Sequence, residues 1–186
     1  MAQIKTYCDF IRTLPEKEFN VHREYHDNAY GFPLDDDNEL FGRLILEINQ
    51  AGLSWTTILN KQKNFRKAYG SFNIKKIAKY SDNDFKRLMN DAGIIRNRLK
   101  INAAISNANT VLSLIKEFGS FGGWLDFHHP KSKDEWIKLF KKTFVFTGGE
   151  IVNEFLVSTG YLKGAHDKKC PIYKKIEKKN PRWMRK

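Results

Sequence analysis

Apolar positions recur at helical spacing along nearly the whole chain. Between Asp36 and Gln50 the residues Leu40, Phe41, Leu44, Ile45 and Ile48 fall on one face. Ser81 with Asp84 has the spacing of a capping box; Phe85, Leu88 and Met89 follow on one face, and Gly93 ends the segment. Ile101, Ile105, Ala108, Leu112 and Ile115 make the next stripe. Ser132 with Glu135 opens a helix carrying Trp136 and Leu139, and another runs from Glu150 to Thr159 and closes at Gly160. Strand-like alternation is scarce. Its best short candidate is Phe144-Val145-Phe146, bounded by Thr147-Gly148-Gly149. With no internal repeat, low-complexity tract or long linker, the pattern predicts an all-α fold of helices joined by short loops.

One acidic residue interrupts the first of these stripes. Glu47 stands seven positions after Leu40, nearly two full turns, so it lies almost directly over that leucine. A carboxylate there is costly to bury unless it meets a donor or a cation. It is either a core glutamate satisfied by backbone or arginine, or a group whose perturbation serves a site. The helix then runs straight into Gln50-Ala51-Gly52-Leu53-Ser54-Trp55.

A second segment of interest is Asp91 to Lys100, a tight Gly-led turn between two predicted helices. Free backbone N–H groups at the start of the following helix can hold a phosphate. Arg96, Arg98 and Lys100 add positive charge, and Ile94 and Ile95 would anchor the turn. That is what a helix-hairpin-helix needs to grip a DNA backbone without reading bases. An ordinary αα-hairpin with solvated arginines fits the same pattern.

Composition narrows the partners. The 186 residues suffice for one domain with a core, or a core with a small appendage, and a hydrophobic content of 41% with 14 phenylalanines argues against disorder. No run is long and apolar enough for a membrane span, and no secretory signal is evident, so a cytoplasmic protein is expected. The 33 basic and 21 acidic residues give a net charge of +12, which favours a polyanionic partner. The bias is uneven: Asp35-Asp36-Asp37 is acidic, whereas Lys168 to Lys186 reads as a solvated, weakly ordered basic end that adds non-specific affinity for nucleic acid. The two cysteines, Cys8 and Cys170, lie at opposite ends, each with a histidine in sequence reach, His26 and His166. Two thiolates and two imidazoles would complete a closed, structural zinc shell. The spacing of Cys8 and His26 is not diagnostic, and from the residues alone two unrelated buried thiols are the preferred reading.

Taken together, these segments resemble bacterial 3-methyladenine DNA glycosylase I, the constitutive alkylation-repair glycosylases. The resemblance rests on Tyr25-His26-Asp27-Asn28, Tyr30-Gly31, Pro33, Leu46-Glu47, Gln50 to Trp55, Asp91 to Arg96, Phe144 to Gly148 and His166-x3-Cys170. It covers most of the chain, roughly from Cys8 to Cys170. It implies a helix-hairpin-helix glycosylase fold over residues 1–186 as one domain. Residues 1–30 and 160–175 would form termini clipped by a structural zinc on Cys8, His26, His166 and Cys170, with 176–186 as a basic tail. The family's base-recognising glutamate falls on Glu47 and its aromatic pocket on Tyr25 and Trp55, with Tyr30 where the family usually has tryptophan. Glu47, Tyr25 and Trp55 are thus the residues expected to carry catalysis. The segment entering the gap left by the extruded nucleotide falls on Gly52-Leu53, and the DNA-gripping hairpin on Gly93, Ile94, Ile95, Arg96, Asn97 and Arg98.

The implied function is hydrolysis of the N-glycosidic bond of 3-methyladenine in double-stranded, alkylated DNA by a monofunctional, monomeric enzyme. A base taken out of the stack needs aromatic faces, and a cationic purine binds them more strongly than a neutral one. Leu53 suits an apolar wedge. Related glycosylases use an aspartate just beyond the hairpin; the acids there are Glu117 and Asp126, which read as surface residues. Catalysis is therefore expected from preferential binding of the charged, distorted state. Ile48, Asn49, His22, Thr147-Gly148-Gly149 and His128-His129-Pro130 depart from the family pattern and put substrate range in doubt. The rival readings are a DNA-binding protein without base chemistry and a glycosylase for another damaged base.

Overall fold

The computed structural model describes residues 6–15 and 19–185. The beginning of the 1–30 segment, residues 16–18 and the last residue of the 176–186 tail lie outside the described residues. Among the described residues are α1 (Tyr7–Thr13), α2 (Val21–Asn28), α3 (Asp37–Gln50), α4 (Trp55–Ala68), α5 (Ile74–Ile77) and α6 (Asp82–Asn90). They are followed by α7 (Arg98–Phe118), α8 (Phe121–His128), α9 (Lys133–Thr143), α10 (Gly149–Ser158) and α11 (Pro171–Glu177). There is no strand among them, as the periodicity predicts. The chain forms two compact units, one of Met1–Pro33 with Leu156–Lys186, the other of Leu34–Phe155.

The unit of Leu34–Phe155 is built around α3, whose side chains from Leu40 to Asn49 are all buried. The acidic run before it is a capping device. Asp36 accepts from the Glu39 N–H at 2.9 Å, and Asp37 accepts from the N–H groups of Phe121 and Gly122 at 2.9 and 3.0 Å. One carboxylate thus starts α3 while its neighbour satisfies orphan donors at the start of α8. Gly42 has no room for a Cβ because the Phe72 ring lies against it. Both expected capping boxes form, Ser81 with Asp84 on α6 and Ser132 with Glu135 on α9.

Two local expectations need correction. The buried face of α7 is Lys100, Ile101, Ala103, Ala104, Asn107, Ala108 and Val111, so Ile105, Leu112 and Ile115 flank it rather than define it. Phe144–Phe146 is a turn, with Phe146 at φ 61°. Asn107 takes the place of a strand partner there: its amide donates to the Val145 carbonyl at 3.0 Å and accepts from the Val145 N–H at 2.8 Å. One buried side chain satisfies the backbone that a sheet would otherwise pair.

In the other unit, α1, α2 and α11 come together. Thr6 and Asp9 form a capping box at α1, and Asn20 caps α2. The C-terminal segment is folded, contrary to the weakly ordered end expected from its charge. Ile172, Tyr173 and Ile176 are buried with Cys8 and Cys170, and Phe32 and Trp183 pack against them. Trp183 lies 6.1 Å from Tyr173 by ring centroid, and its backbone N–H donates to the Gly160 carbonyl at 3.2 Å. The lysines masked an apolar face of helical period at Ile172, Tyr173 and Ile176.

Candidate active site

Glu47 is buried in α3, 4% exposed. Burial pushes its carboxyl up from 4.5 to about 8; Arg43, one turn earlier on the helix, pulls it down, and Glu154 of α10 pushes it further up. Arg43 is itself 7% exposed. Its i, i+4 spacing from Glu47 was the signal that sequence reading passed over.

After α3 the chain closes a short loop on itself. Leu53 N–H donates to the Gln50 carbonyl at 2.7 Å, and the Gln50 amide donates to the Leu53 carbonyl at 2.9 Å. Gly52 sits at φ +79°, a left-handed turn position, with open space where a Cβ would be. Leu53 is left 38% exposed, an apolar tip on a hydrogen-bonded loop. Ser54 caps α4 by accepting from the Thr57 N–H, which makes the half-buried Trp55 its first residue.

The turn between α6 and α7 has the expected exposure but a different wiring. Arg96, Asn97 and Arg98 are exposed, Ile94 is 3% exposed, and Ile95 is only half-buried. Space is tight at Gly93: a Cβ there would fall 2.9 Å from the Asp91 carboxylate and 3.2 Å from Asn64, so both side chains would have to shift. Asp91 accepts from the Gly93 N–H at 2.7 Å, and Lys61 donates to the Ala92 carbonyl at 2.8 Å, so the turn is held from within and from α4. Asn97 caps α7, accepting from the N–H groups of Leu99 and Lys100 at 3.0 and 3.2 Å. Among the described residues, the N–H groups of Ile95, Arg96 and Arg98 have no protein acceptor. The Arg98 guanidinium lies over the Phe85 ring at 5.2 Å.

Lys100 does not add surface charge to this turn. It is 5% exposed, and its ammonium donates to the carbonyls of Asn49 and Ala51 at 2.8 and 2.6 Å. A cation at the carboxyl end of α3 satisfies its orphan carbonyls and complements its dipole. The start of α7 is thereby tied to the end of the Glu47 helix, next to Gly52 and Leu53.

In the unit of the chain termini, Tyr25 is 5% exposed and its ring centroid lies 5.5 Å from that of the half-buried Tyr30. Tyr7, which the sequence did not single out, packs against both, at 6.4 and 5.4 Å. Its hydroxyl meets His22 Nδ1 at 3.0 Å, and burial raises its pKa. The same unit gathers Cys8, His26, His166 and Cys170, all buried, with their ligand atoms within 4.8 Å of one another. His26 Nε2 faces Cys8 Sγ at 3.4 Å and Cys170 Sγ at 3.8 Å, and His166 Nδ1 faces the same sulfurs at 3.6 and 3.5 Å. The far ring nitrogens are occupied: His26 Nδ1 by Asp27 at 2.6 Å, His166 Nε2 by the Tyr30 carbonyl at 2.8 Å. Those partners turn a lone pair of each ring toward the sulfurs, as metal-binding histidines require. Burial pushes His166 down to about 4 and Cys8 up to about 11. The imidazole is thus held neutral, while the thiol needs a cation to ionise. Tetrahedral zinc with its usual bond lengths spaces its donors about 3.3–3.8 Å apart, which these sulfur–nitrogen distances match.

The fold is that of a known class of helical repair protein. Its backbone is similar to 3-methyladenine DNA glycosylase I from Staphylococcus aureus, solved to explain 3-methyladenine recognition, with a TM-score of 0.76 and 31% identity over 84% of this chain and 93% of that one. By sequence the chain is 34% identical to a DNA-3-methyladenine glycosylase of Haemophilus influenzae, covering 83% of this chain and 93% of that protein. It is also 47% identical to DNA-3-methyladenine glycosylase 1 of Escherichia coli over 48% of each. Residues 16–138 match the family model described as Methyladenine glycosylase. The chain belongs to the methyladenine glycosylase family.

Proposed function

We propose that this protein is a monofunctional, monomeric DNA glycosylase that hydrolyses the N-glycosidic bond of 3-methyladenine in alkylated double-stranded DNA. The observation that carries the reading is Glu47: a buried carboxyl raised to about 8, at the end of a helix, in a member of this family. Such a group is expensive to retain in a core and is of use where a cation arrives.

N3-alkylated deoxyadenosine carries its positive charge on the base. The C1′–N bond breaks with its electron pair going to the ring, so the base leaves neutral. The sugar gains oxocarbenium character, and water adds at C1′ with loss of a proton. Little protonation of the base is needed, and the protein's task is to bind the charged, strained state. The incoming cation favours loss of the Glu47 proton, and the resulting carboxylate accepts a hydrogen bond from the exocyclic amine. Tyr25, Tyr30 and Trp55 supply the aromatic walls for a base flipped out of the duplex. Leu53, with Gly52 allowing the turn, fills the vacated step.

The turn of Gly93, Ile94, Ile95, Arg96, Asn97 and Arg98 acts as a helix-hairpin-helix. Its unpartnered N–H groups at Ile95, Arg96 and Arg98 take phosphate oxygens, with two arginines beside them. Cys8, His26, His166 and Cys170 hold a structural zinc, which supplies no chemistry to the reaction because four protein donors close its shell. Residues 1–186 serve this as one glycosylase domain in the bacterial cytosol. Among the described residues no helix is long and apolar enough to cross a membrane.

The test is to incubate alkylated DNA with the protein and with Glu47→Gln, and to separate released bases by chromatography. The expected result is 3-methyladenine from the wild type, at least a hundredfold less from the variant, and equal zinc and melting cooperativity in both. Undiminished release by the variant refutes the role of Glu47. Release of a different base only, or of none, refutes the substrate.

A further inference from the structure

Residues 163–185 hold nine basic side chains and two acidic ones, a net +7 of the chain's +12. The structure converts that charge into a surface. On α11, Ile172, Tyr173 and Ile176 face inward, while Lys174 and Lys175 are exposed; Lys178 and Lys179 are exposed in the turn that follows, and Lys168 and Lys169 just before the helix. Lys174, Lys175, Lys178 and Lys179 bring four like charges together across the end of a short helix, an arrangement that repels itself. Among the described residues none of Lys174, Lys175, Lys178 and Lys179 forms an ion pair. Of the two local acids, Asp167 accepts from the Thr6 hydroxyl at 3.0 Å and Glu177 is half-buried. The platform is firmly seated: Lys163 lies over the Trp183 ring at 5.4 Å, Arg185 Nε donates to the Asn180 carbonyl at 3.0 Å, and Pro171 opens the helix directly after Cys170. Repulsion of this kind, maintained on a helix and the turn after it, is offset by a polyanion.

We infer that the lysine-rich surface of α11 and the turn after it is a second DNA-contact surface, binding the phosphate backbone of duplex DNA. It rests on the reading that this protein works on DNA. It adds affinity without sequence or lesion preference, so it raises local residence on undamaged duplex while Glu47 decides what is excised.

The experiment measures binding to an undamaged duplex between 50 and 200 mM salt. The variants are Lys174→Gln, Lys175→Gln, Lys178→Gln and Lys179→Gln combined, and the same four positions changed to Arg. Each lost phosphate contact removes about 0.9 from the slope of log affinity against log salt. The glutamine variant is expected to lose two to four units of slope and at least tenfold in affinity at 50 mM, whereas the arginine variant keeps both. A control removing equal charge elsewhere, Lys75, Lys79, Lys138 and Lys141 to Gln, is expected to change the slope by less than one. An unchanged slope in the α11 glutamine variant overturns the proposal, as does an equal loss in the control. Loss of binding to anionic lipid vesicles with duplex binding intact also overturns it. Single-turnover excision at saturating protein should be unaltered in the α11 variant. If the wild type excises no base at all, the functional reading fails while the salt slopes still decide this surface.

Discussion

At the scale of single residues, the carboxyl of Glu47 links the proposed recognition to stability with a definite sign. Its folded value, about 8, lies above its ordinary 4.5, so between those values the folded protein keeps a proton that the unfolded chain has released. Stability from this group is therefore full below 4.5, falls as pH rises through 8, and is flat above. Glu47→Gln removes the penalty. Its melting temperature should exceed the wild type's at pH 8.5, by an amount corresponding to a few kcal/mol, on the order of the linkage of a multi-unit shift. The gain should vanish near pH 5, while excision stays impaired throughout; thermal melts at the two values decide it. For the wild type, kcat/KM should climb with pH toward about 8, as expected if the free enzyme's Glu47 must ionise for the cation. Glu47 was legible in sequence because a lone acid in an apolar stripe is conspicuous. Lys100 was not, because a lysine beside two arginines looks like surface charge. Its two carbonyl bonds bridge positions about fifty residues apart, which no local pattern encodes. Lys100→Met should cost roughly 2–3 kcal/mol in urea unfolding, since two buried carbonyls lose a charged donor.

At the scale of elements, what could be read locally was read correctly, and what depended on a distant partner was not. The boxes at Ser81–Asp84 and Ser132–Glu135 lie within four residues, and both helices begin there. The Phe144–Phe146 turn is made by Asn107, on another helix, so alternating apolar residues were the only local signal and pointed to a strand. The helix after Cys170 was hidden by the charge of its outer face. In the α6–turn–α7 element the proposed phosphate grip would use other N–H groups than those of Leu99 and Lys100, which Asn97 occupies: Ile95, Arg96 and Arg98 offer the free ones. Arg96 and Asn97 therefore have separable jobs. Arg96→Ala should lower affinity for undamaged duplex and the salt slope by about one, with no change in melting temperature. Asn97→Ala should cost about 1 kcal/mol of stability through the lost cap. Paired melting curves and salt titrations distinguish the two, and a destabilised Arg96→Ala would argue that its role is structural.

At the scale of the whole molecule, the question is what the Cys–His cluster holds together. Its four donors come from Cys8, His26, His166 and Cys170, and all belong to the unit of Met1–Pro33 with Leu156–Lys186. The other unit, Leu34–Phe155, carries Glu47, Trp55 and the α6–α7 turn on a core that contains none of the donors. A metal bound only by the folded arrangement stabilises that arrangement by its binding free energy. A zinc held by these four residues would also close a loop of most of the chain, the case in which a cross-link most restricts the unfolded ensemble. If the cluster holds zinc as proposed, its loss should therefore act unevenly. After chelation, or in Cys170→Ser, amide exchange should accelerate in α1, α2 and α11 while α3, α4 and α7 keep much of their protection. Trp183, the one tryptophan in the terminal unit, should change its emission before Trp55, Trp124 and Trp136 do. The Tyr30 carbonyl bonds the ring of His166, so loosening the cluster should also loosen Tyr30 and reduce base affinity before DNA affinity. Exchange unaltered by stoichiometric zinc removal would mean that apolar packing of Ile172, Tyr173 and Ile176 joins the termini without a metal.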